Sequence, residues 1–312
     1  MGASWPLASS YLPILQNPEL AFRDKQLQRC TITRDANNQP LGITGSSALV
    51  CHATLPDGQQ LAIRAFTSDR GNEFNERYHV VYEYLNRRTP LKSLVSFQYH
   101  DKGIRAITGG LVKFYPLMTM DWVSGVTLYE WVRDRCQEHD KRRLTGLADR
   151  WVELVAELND AQIAHGDLSD SNVMVTEQDD LKLVDYDGMC VPNLVGLENM
   201  EIGLQPYQHP DRDANTKLST DLDNFSAIFI LVALRALAAA PNLWIQYVEQ
   251  SYYDKLLIRR EDFDDPGQSS LYRALQSSPD PNVRSLSRYL FELWRVKMDE
   301  VPRLTQTPFS ND

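Results

Sequence analysis

IAHGDLSDSNVMVTEQDDLKLVDYDGMCVP, residues Ile163 to Pro192, is the stretch from which the fold can be read. It places Asp167, then Asn172 five residues on, then Asp185 thirteen beyond that. Val173-Met174-Val175 and Leu181-Lys182-Leu183-Val184 read as two short strands, joined by the polar turn Glu177-Gln178-Asp179-Asp180. A hairpin of that kind returns the loop at Asp185 to the end where Asp167 lies. Two carboxylates and an amide gathered there suit a divalent metal and a polyphosphate, with one carboxylate beside a reacting hydroxyl.

Composition sets the frame around this stretch. A chain of 312 residues can bury a large core and is expected to form two lobes. The formal net charge of −10 argues against nucleic acid or an anionic membrane as partner. Cys30, Cys51, Cys136 and Cys190 form no CxxC pair, which argues against a zinc site and for a reducing, cytoplasmic setting. The opening MGASWPLASSYLP lacks a basic region followed by an apolar run, so it is not expected to act as a signal peptide. Phe225–Ala240 is the most apolar segment, but Arg235 interrupts it and it falls short of the roughly 20 residues of a span, so a buried helix is expected.

Working outward, residues 1–40 have little periodicity and are expected to be an extension lying over the first lobe. Ile43–Ala53 reads as strand, small-residue turn and strand, and Pro56-Asp57-Gly58 turns into a third strand, Gln60–Phe66. Gly45, Ser46 and Ser47 would let backbone N–H groups approach a phosphate; the alternative is an ordinary hairpin with a Ser-rich turn. Glu73–Leu85 reads as a helix, with Glu83 nineteen residues after Arg64. A buried ion pair from Arg64 to Glu83 would hold a phosphate-gripping cation in place; the alternative is that both are solvated surface charges. Two more strands are expected around Leu94–Tyr99 and Val112–Met120, separated by Asp101-Lys102-Gly103. From Asp121 onward helical spacing takes over, at Thr127–Cys136 and Leu147–Asn159 and through most of Asn242–Lys297. Strands first and helices after indicate an α+β protein with two lobes, at 41–120 and 121–300, and a tail at 301–312.

Taken together, these motifs resemble the protein kinase-like superfamily over about Leu41 to Trp294. LAIR at 61–64 resembles the strand-three V-A-I-K, and Glu83 falls where the helix glutamate would. MDWVSG at 120–125 looks like gatekeeper and hinge, HGDLSDSN at 165–172 like the catalytic loop, Asp185-Tyr186-Asp187 like D-F-G, and His209-Pro210-Asp211 like A-P-E. More narrowly, YLPILQNP, LKLVDYDGMCVP and PYQHPDR resemble a bacterial group of atypical kinase-like proteins. The resemblance implies a bilobal fold, with a small antiparallel-sheet N-lobe and a mainly helical C-lobe. It also implies ATP with Mg²⁺, or Mn²⁺ in its place, as cofactors. Adenine would contact Val50, Ala62 and Met174, with Met120 as gatekeeper and backbone hydrogen bonds to Asp121–Val123. Asn172 and Asp185 would hold the metal, Asp167 would take the acceptor hydroxyl's proton, and Arg64 would reach the phosphates. Asp223 would tie the catalytic loop to the buried helix, and Arg284 would pair with the acid Asp211.

The implied activity is transfer of the γ-phosphate to Ser or Thr of a protein. Departures from the pattern keep a pseudokinase, a nucleotide-binding scaffold or switch, as the alternative. Arg64 replaces a lysine with a larger, planar cation, and Ser169 stands where Ser/Thr kinases carry a lysine on the γ-phosphate. Gly166 replaces the arginine that reads a phosphorylated activation loop, and residues 185–211 contain no Ser or Thr, only Tyr186 and Tyr207. Control by Ser/Thr phosphorylation there is therefore not expected. Asp187 stands one place before the glycine, either as a harmless shift or as an added carboxylate near the metal. A small-molecule kinase, whose loops also read H-G-D-L-x-x-x-N, is a second alternative. His165 is expected to be a packed core residue.

Overall fold

The computed structural model describes residues 5–45, 47–69 and 71–304. It is a mixed α+β structure in two compact units, one running to Pro90 and resuming at Val95–Val123, the other formed by Leu91–Leu94 and everything from Ser124.

The first unit is an antiparallel sheet. Its strands are β1 (Thr31–Ile32), β2 (Gly42–Thr44), β3 (Ala48–Thr54), β4 (Gln60–Phe66), β5 (Phe97–Thr108) and β6 (Leu111–Asp121), in the order β1-β3-β4-β6-β5 with β2 also on β3. Alternation in β3 and β4 sends Leu49, Cys51, Ala53, Leu61, Ile63 and Ala65 to one face, all buried. That face has to be covered, and Tyr11, Leu15, Phe22, Leu27 and Ile32 cover it in a single core cluster. Residues 5–40 are thus part of the unit's core and not an extension over it. Their apolar residues sit on short helical turns at Ala8–Tyr11, Ile14–Gln16, Pro18–Ala21 and Leu27–Arg29, too short for any period to show. The other face carries Val50, Ala62, Arg64, Phe66, Met118 and Met120, with the helix Gly71–Asn86 packed through an aromatic group of Phe66, Phe74, Tyr78, Phe97 and Tyr99. The β5–β6 hairpin turns at Gly109-Gly110, not at Asp101–Gly103. The latter is a bulge, where the register shifts between His100 and Ile104.

The second unit is mainly helical. Thr127 and Glu130 form a reciprocal capping box at the start of Leu128–Gln137. Asp140 caps Lys141–Asp160, whose buried stripe Leu144, Leu147, Ala148, Trp151, Leu154, Val155 and Leu158 follows helical spacing. It packs on Asn224–Ala239, which is buried nearly all round. Arg235, the one charge in that helix, lies beside Asp149 at 2.6 Å, and Trp151 Nε1 donates to the Ala227 carbonyl at 2.9 Å. A three-stranded sheet of β7 (Gly125–Thr127), β8 (Val173–Thr176) and β9 (Leu181–Leu183) carries the expected hairpin. Val301 and Leu304, expected to lie in a tail, are buried in this unit. Among the described residues, no single helix is long and apolar enough to cross a membrane.

Segment 91–94 belongs to the second unit because Glu157 takes hold of it. Its carboxylate accepts from the Lys92 N–H at 2.7 Å, the Ser93 N–H at 2.9 Å and the Ser93 hydroxyl. The Ser93 carbonyl in turn accepts from Leu183 N at 2.7 Å.

Candidate functional site

The loop 163–172 is pinned from two sides. Ala164 pairs antiparallel with Cys190, through N–H···O distances of 3.0 and 2.8 Å. This pairing drives Gly166 against Gly188: a Cβ on Gly166 would lie 2.0 Å from the Gly188 carbonyl oxygen, and φ there is +79°. Only glycine meets both conditions, so the position that resembles an arginine site has no room for a side chain. From the other side the Asp223 carboxylate accepts from the N–H groups of His165 and, at 3.0 Å, Gly166. Asp223 stands at the N-cap of Asn224–Ala239 yet makes no cap bond to that helix, because its carboxylate is engaged with the loop. Burial pushes its pKa up, opposed by His165, Arg212 and the two N–H donors. The expected tie between loop and helix is present. His165 is fully buried, as expected, with Nε2 on the Val184 carbonyl at 2.9 Å.

Asp167 and Asn172 meet directly. Asn172 Nδ2 donates to the Asp167 carbonyl at 2.9 Å and to Asp167 Oδ2 at 2.8 Å, while Leu204 N–H donates to Asp167 Oδ1 at 2.6 Å. Each carboxylate oxygen keeps a second lone pair. With its Nδ2 so engaged, Asn172 presents Oδ1, which no hydrogen bond from the described residues reaches. Asp185 follows Val184, whose N–H rests on the Asn172 carbonyl at 3.0 Å, and it has a left-handed backbone with φ 65°. An amide oxygen and a carboxylate are the oxygen donors that Mg²⁺ takes, and they leave most of its coordination to phosphate and water. Among the described residues no group of three or more His, Cys, Asp or Glu could hold a metal by itself. Met174 is half-buried in β8, while Asp187 and Ser169 are buried, Ser169 Oγ lying 3.1 Å from Ser171 Oγ.

In the first unit, Arg64 is buried on the sheet face with Val50 and Ala62, both half-exposed. Its Nη2 reaches Ser47 Oγ at 3.2 Å, its Nη1 the Tyr78 hydroxyl at 3.4 Å, and its guanidinium lies 5.4 Å from the Phe66 ring centre. The expected pairing of Arg64 with Glu83 is not formed. Phe74, Tyr78 and Val81 mark the buried side of the Gly71–Asn86 helix, and Glu83, two residues past Val81, is turned about 200° away from it. It is exposed and pairs with Arg87 at 2.9 Å. Gly45 N–H closes the β2–β3 turn on the Ala48 carbonyl at 2.9 Å. Ser46 lies outside the described residues. At the end of β6, Met120 is buried, Asp121 N–H is held by Ser96 and Trp122 N–H by Gln60, whereas Val123 makes no backbone hydrogen bond among the described residues.

A second expected pair also fails. Arg284 donates to the carbonyls of Ser278 and Pro279, at 2.5 and 3.1 Å, in the turn before its own helix. Asp211 instead accepts from Met298 N at 3.3 Å. The arginine that does enter the site, Arg212, was not singled out from the sequence. Its partners are two carbonyls and an amide side chain, so no complementary charge in the sequence marks it. Glu157 was missed for the same reason. No protein-family model matches the chain, and no curated protein matches it.

Proposed function

We propose that the protein is an ATP- and Mg²⁺-dependent phosphotransferase of the protein kinase-like superfamily, atypical and bacterial in type, acting on Ser or Thr of a protein. The observation that carries this reading is the Asp167–Asn172 pair, in which Asn172 fixes the carboxylate that would receive the hydroxyl proton and still presents an amide oxygen. A sheet unit bearing one long helix, followed in the chain by a mainly helical unit, supports a kinase-like fold.

On this reading Asn172 and Asp185 hold Mg²⁺, which would neutralise charge on the phosphates. Val50, Ala62 and Met120 on the first unit's sheet would offer apolar surface to the base, and the Val123 N–H would offer it a donor. Arg64 supplies positive charge for the phosphates. Asp167 orients the acceptor hydroxyl and accepts its proton. Asp223 holds the loop without touching the substrate.

Two measurements on the purified protein test this. Melting temperature should rise with ATP and Mg²⁺ or Mn²⁺, and less with either alone. Labelled γ-phosphate should be incorporated into the protein or a generic substrate, and Asp167→Asn and Asp185→Asn should abolish it. Incorporation that survives both substitutions overturns the proposal. The pseudokinase reading is favoured by the engagement of Arg64 with Ser47, Tyr78 and Phe66, which already occupies its guanidinium. Nucleotide binding without any transfer would establish it. Asp187→Asn should weaken Mg²⁺-dependent nucleotide binding if that carboxylate serves the metal.

A further inference from the structure

Asp167 is reached by two separate stretches of backbone. One is its own loop, through Gly166; the other is the segment 201–208, through the Leu204 N–H on Oδ1. Something must hold these stretches in register, because residues 201–204 have no regular secondary structure and Gln205–Tyr207 form a single short turn.

Arg212 is placed to do so. It is 3 % exposed. Its Nη2 donates to the Gly166 carbonyl at 2.6 Å and to the Glu201 carbonyl at 3.1 Å, and its Nη1 donates to Gln208 Oε1 at 2.5 Å. The first contact is on the residue before Asp167. The other two bracket Gly203-Leu204, where Gly203 has φ +80° and a Cβ on it would lie 2.9 Å from Asp167 Oδ1. Gln208 is itself 1 % exposed, and its Oε1 lies 3.4 Å from the Ser226 hydroxyl on the buried helix. One rigid fork thus meets three acceptors on both sides of the carboxylate. A lysine, with one nitrogen at the end of a flexible stem, could not reach all three. Asp223, Asp167 and Glu201 supply the negative field that sustains a buried cation.

We infer that Arg212 is a positioning residue that fastens the Asp167 loop to the 201–208 segment and keeps that segment in its working position without phosphorylation. The inference deepens the proposed reading by naming how the site is regulated, and its effect on transfer rests on that reading. The clamp itself can be measured without any activity. The segment between Asp185 and Asp211 has no Ser or Thr to carry a regulatory phosphate, and a guanidinium already in place makes one unnecessary.

The test is hydrogen exchange together with steady-state transfer, on the full chain with Arg212→Lys. Arg235→Lys, in the buried helix itself and paired with Asp149 of Lys141–Asp160, serves as control. Exchange at the amides of Gly166 and Leu204 should rise at least about tenfold, with the helices Lys141–Asp160 and Asn224–Ala239 unchanged. If the protein transfers phosphate, kcat should fall by about 10- to 100-fold with KM for ATP within about twofold. Unchanged exchange at Gly166 and Leu204 overturns the inference, whatever the activity. If wild-type protein transfers nothing, the functional reading fails, and the exchange experiment still decides the clamp. Should Arg212→Lys loosen the whole unit, Gln208→Ala removes one acceptor only and should raise exchange at Leu204 selectively. If both variants raise exchange uniformly, Arg212 is a general stabiliser and the inference is overturned.

Discussion

Replacing Gly166 by alanine separates two effects that the structure assigns to one residue. The first is conformational: φ is +79°, a region that costs an L-residue about 1–2 kcal/mol. The second is steric. The added Cβ would sit 2.0 Å from the Gly188 carbonyl oxygen and 2.6 Å from its carbon, and both are backbone atoms with no rotamer to escape into. Relief requires the two backbone segments to part by more than 1 Å, roughly the shortfall from an ordinary contact of about 3.5 Å. That movement would stretch the paired hydrogen bonds between Ala164 and Cys190. Overpacking of this kind costs about 1–3 kcal/mol, so Gly166→Ala should lose about 2–5 kcal/mol. Gly196→Ala isolates the first effect, since φ there is +85° and nothing lies within 4 Å of a built Cβ. It should lose only about 1–2 kcal/mol. Urea denaturation read at constant m gives both values, and the melting temperature should move by about 2–4 °C per kcal/mol. A loss for Gly166→Ala no greater than that for Gly196→Ala would refute the close-approach argument. It would also reopen the reading of Gly166 as a simple absence of arginine.

Further predictions concern buried polar groups. Asp170 is 2 % exposed with Oδ2 unbonded among the described residues, and burial pushes its pKa up to about 6 despite the Tyr207 hydroxyl and Lys255. A folded pKa above the unfolded one makes the ionised carboxylate a liability that grows as pH rises from about 4 through 6. Asp170→Asn should therefore stabilise the protein by up to about 3 kcal/mol at pH 8 and by nothing near pH 4, and a pH-independent difference in urea would refute this. Glu157→Ala should cost about 1–3 kcal/mol and speed tryptic cleavage after Lys92, since two N–H donors and a hydroxyl lose their acceptor; unchanged cleavage would count against the anchor. Tyr186 and Tyr207 are 2 % and 0 % exposed, their hydroxyls engaged with the Leu183 carbonyl and the Leu256 N–H. A broad-specificity tyrosine kinase should therefore label neither in the native protein, and mass-spectrometric detection of phosphate there would show that the segment opens.

What the sequence made legible was what is local or carries its own chemistry. The 173–183 hairpin announces itself by alternation around a polar turn, and the Asp167–Asn172 contact follows from a five-residue interval within one loop. The N-terminal residues stayed illegible because each of their turns is shorter than a period. Their burial is dictated by the opposite party, the apolar face of β3 and β4. The two pairings that failed share a cause. Arg64 with Glu83 is expected as an ion pair and Arg284 with Asp211 from the resemblance, yet Glu83 and Asp211 bond elsewhere, while neutral oxygens of Ser47 and Tyr78 reach Arg64 and those of Ser278 and Pro279 reach Arg284.

That preference has a physical basis, and it bears on how the site is built. A guanidinium taken out of water needs its five N–H groups satisfied more than it needs one counter-charge, because each unmade hydrogen bond costs the full desolvation of its donor. Carbonyl and hydroxyl oxygens can be supplied by any backbone that passes close by, so such an arginine leaves no trace in side-chain patterning. Arg212 follows this only in part: its Nη1 and Nη2 have two carbonyls and one amide oxygen as acceptors, its buried Nε meets no acceptor among the described residues, and three carboxylates contribute field. The carboxylate it serves was the first feature legible in the chain, and the residue that places that carboxylate was among the last.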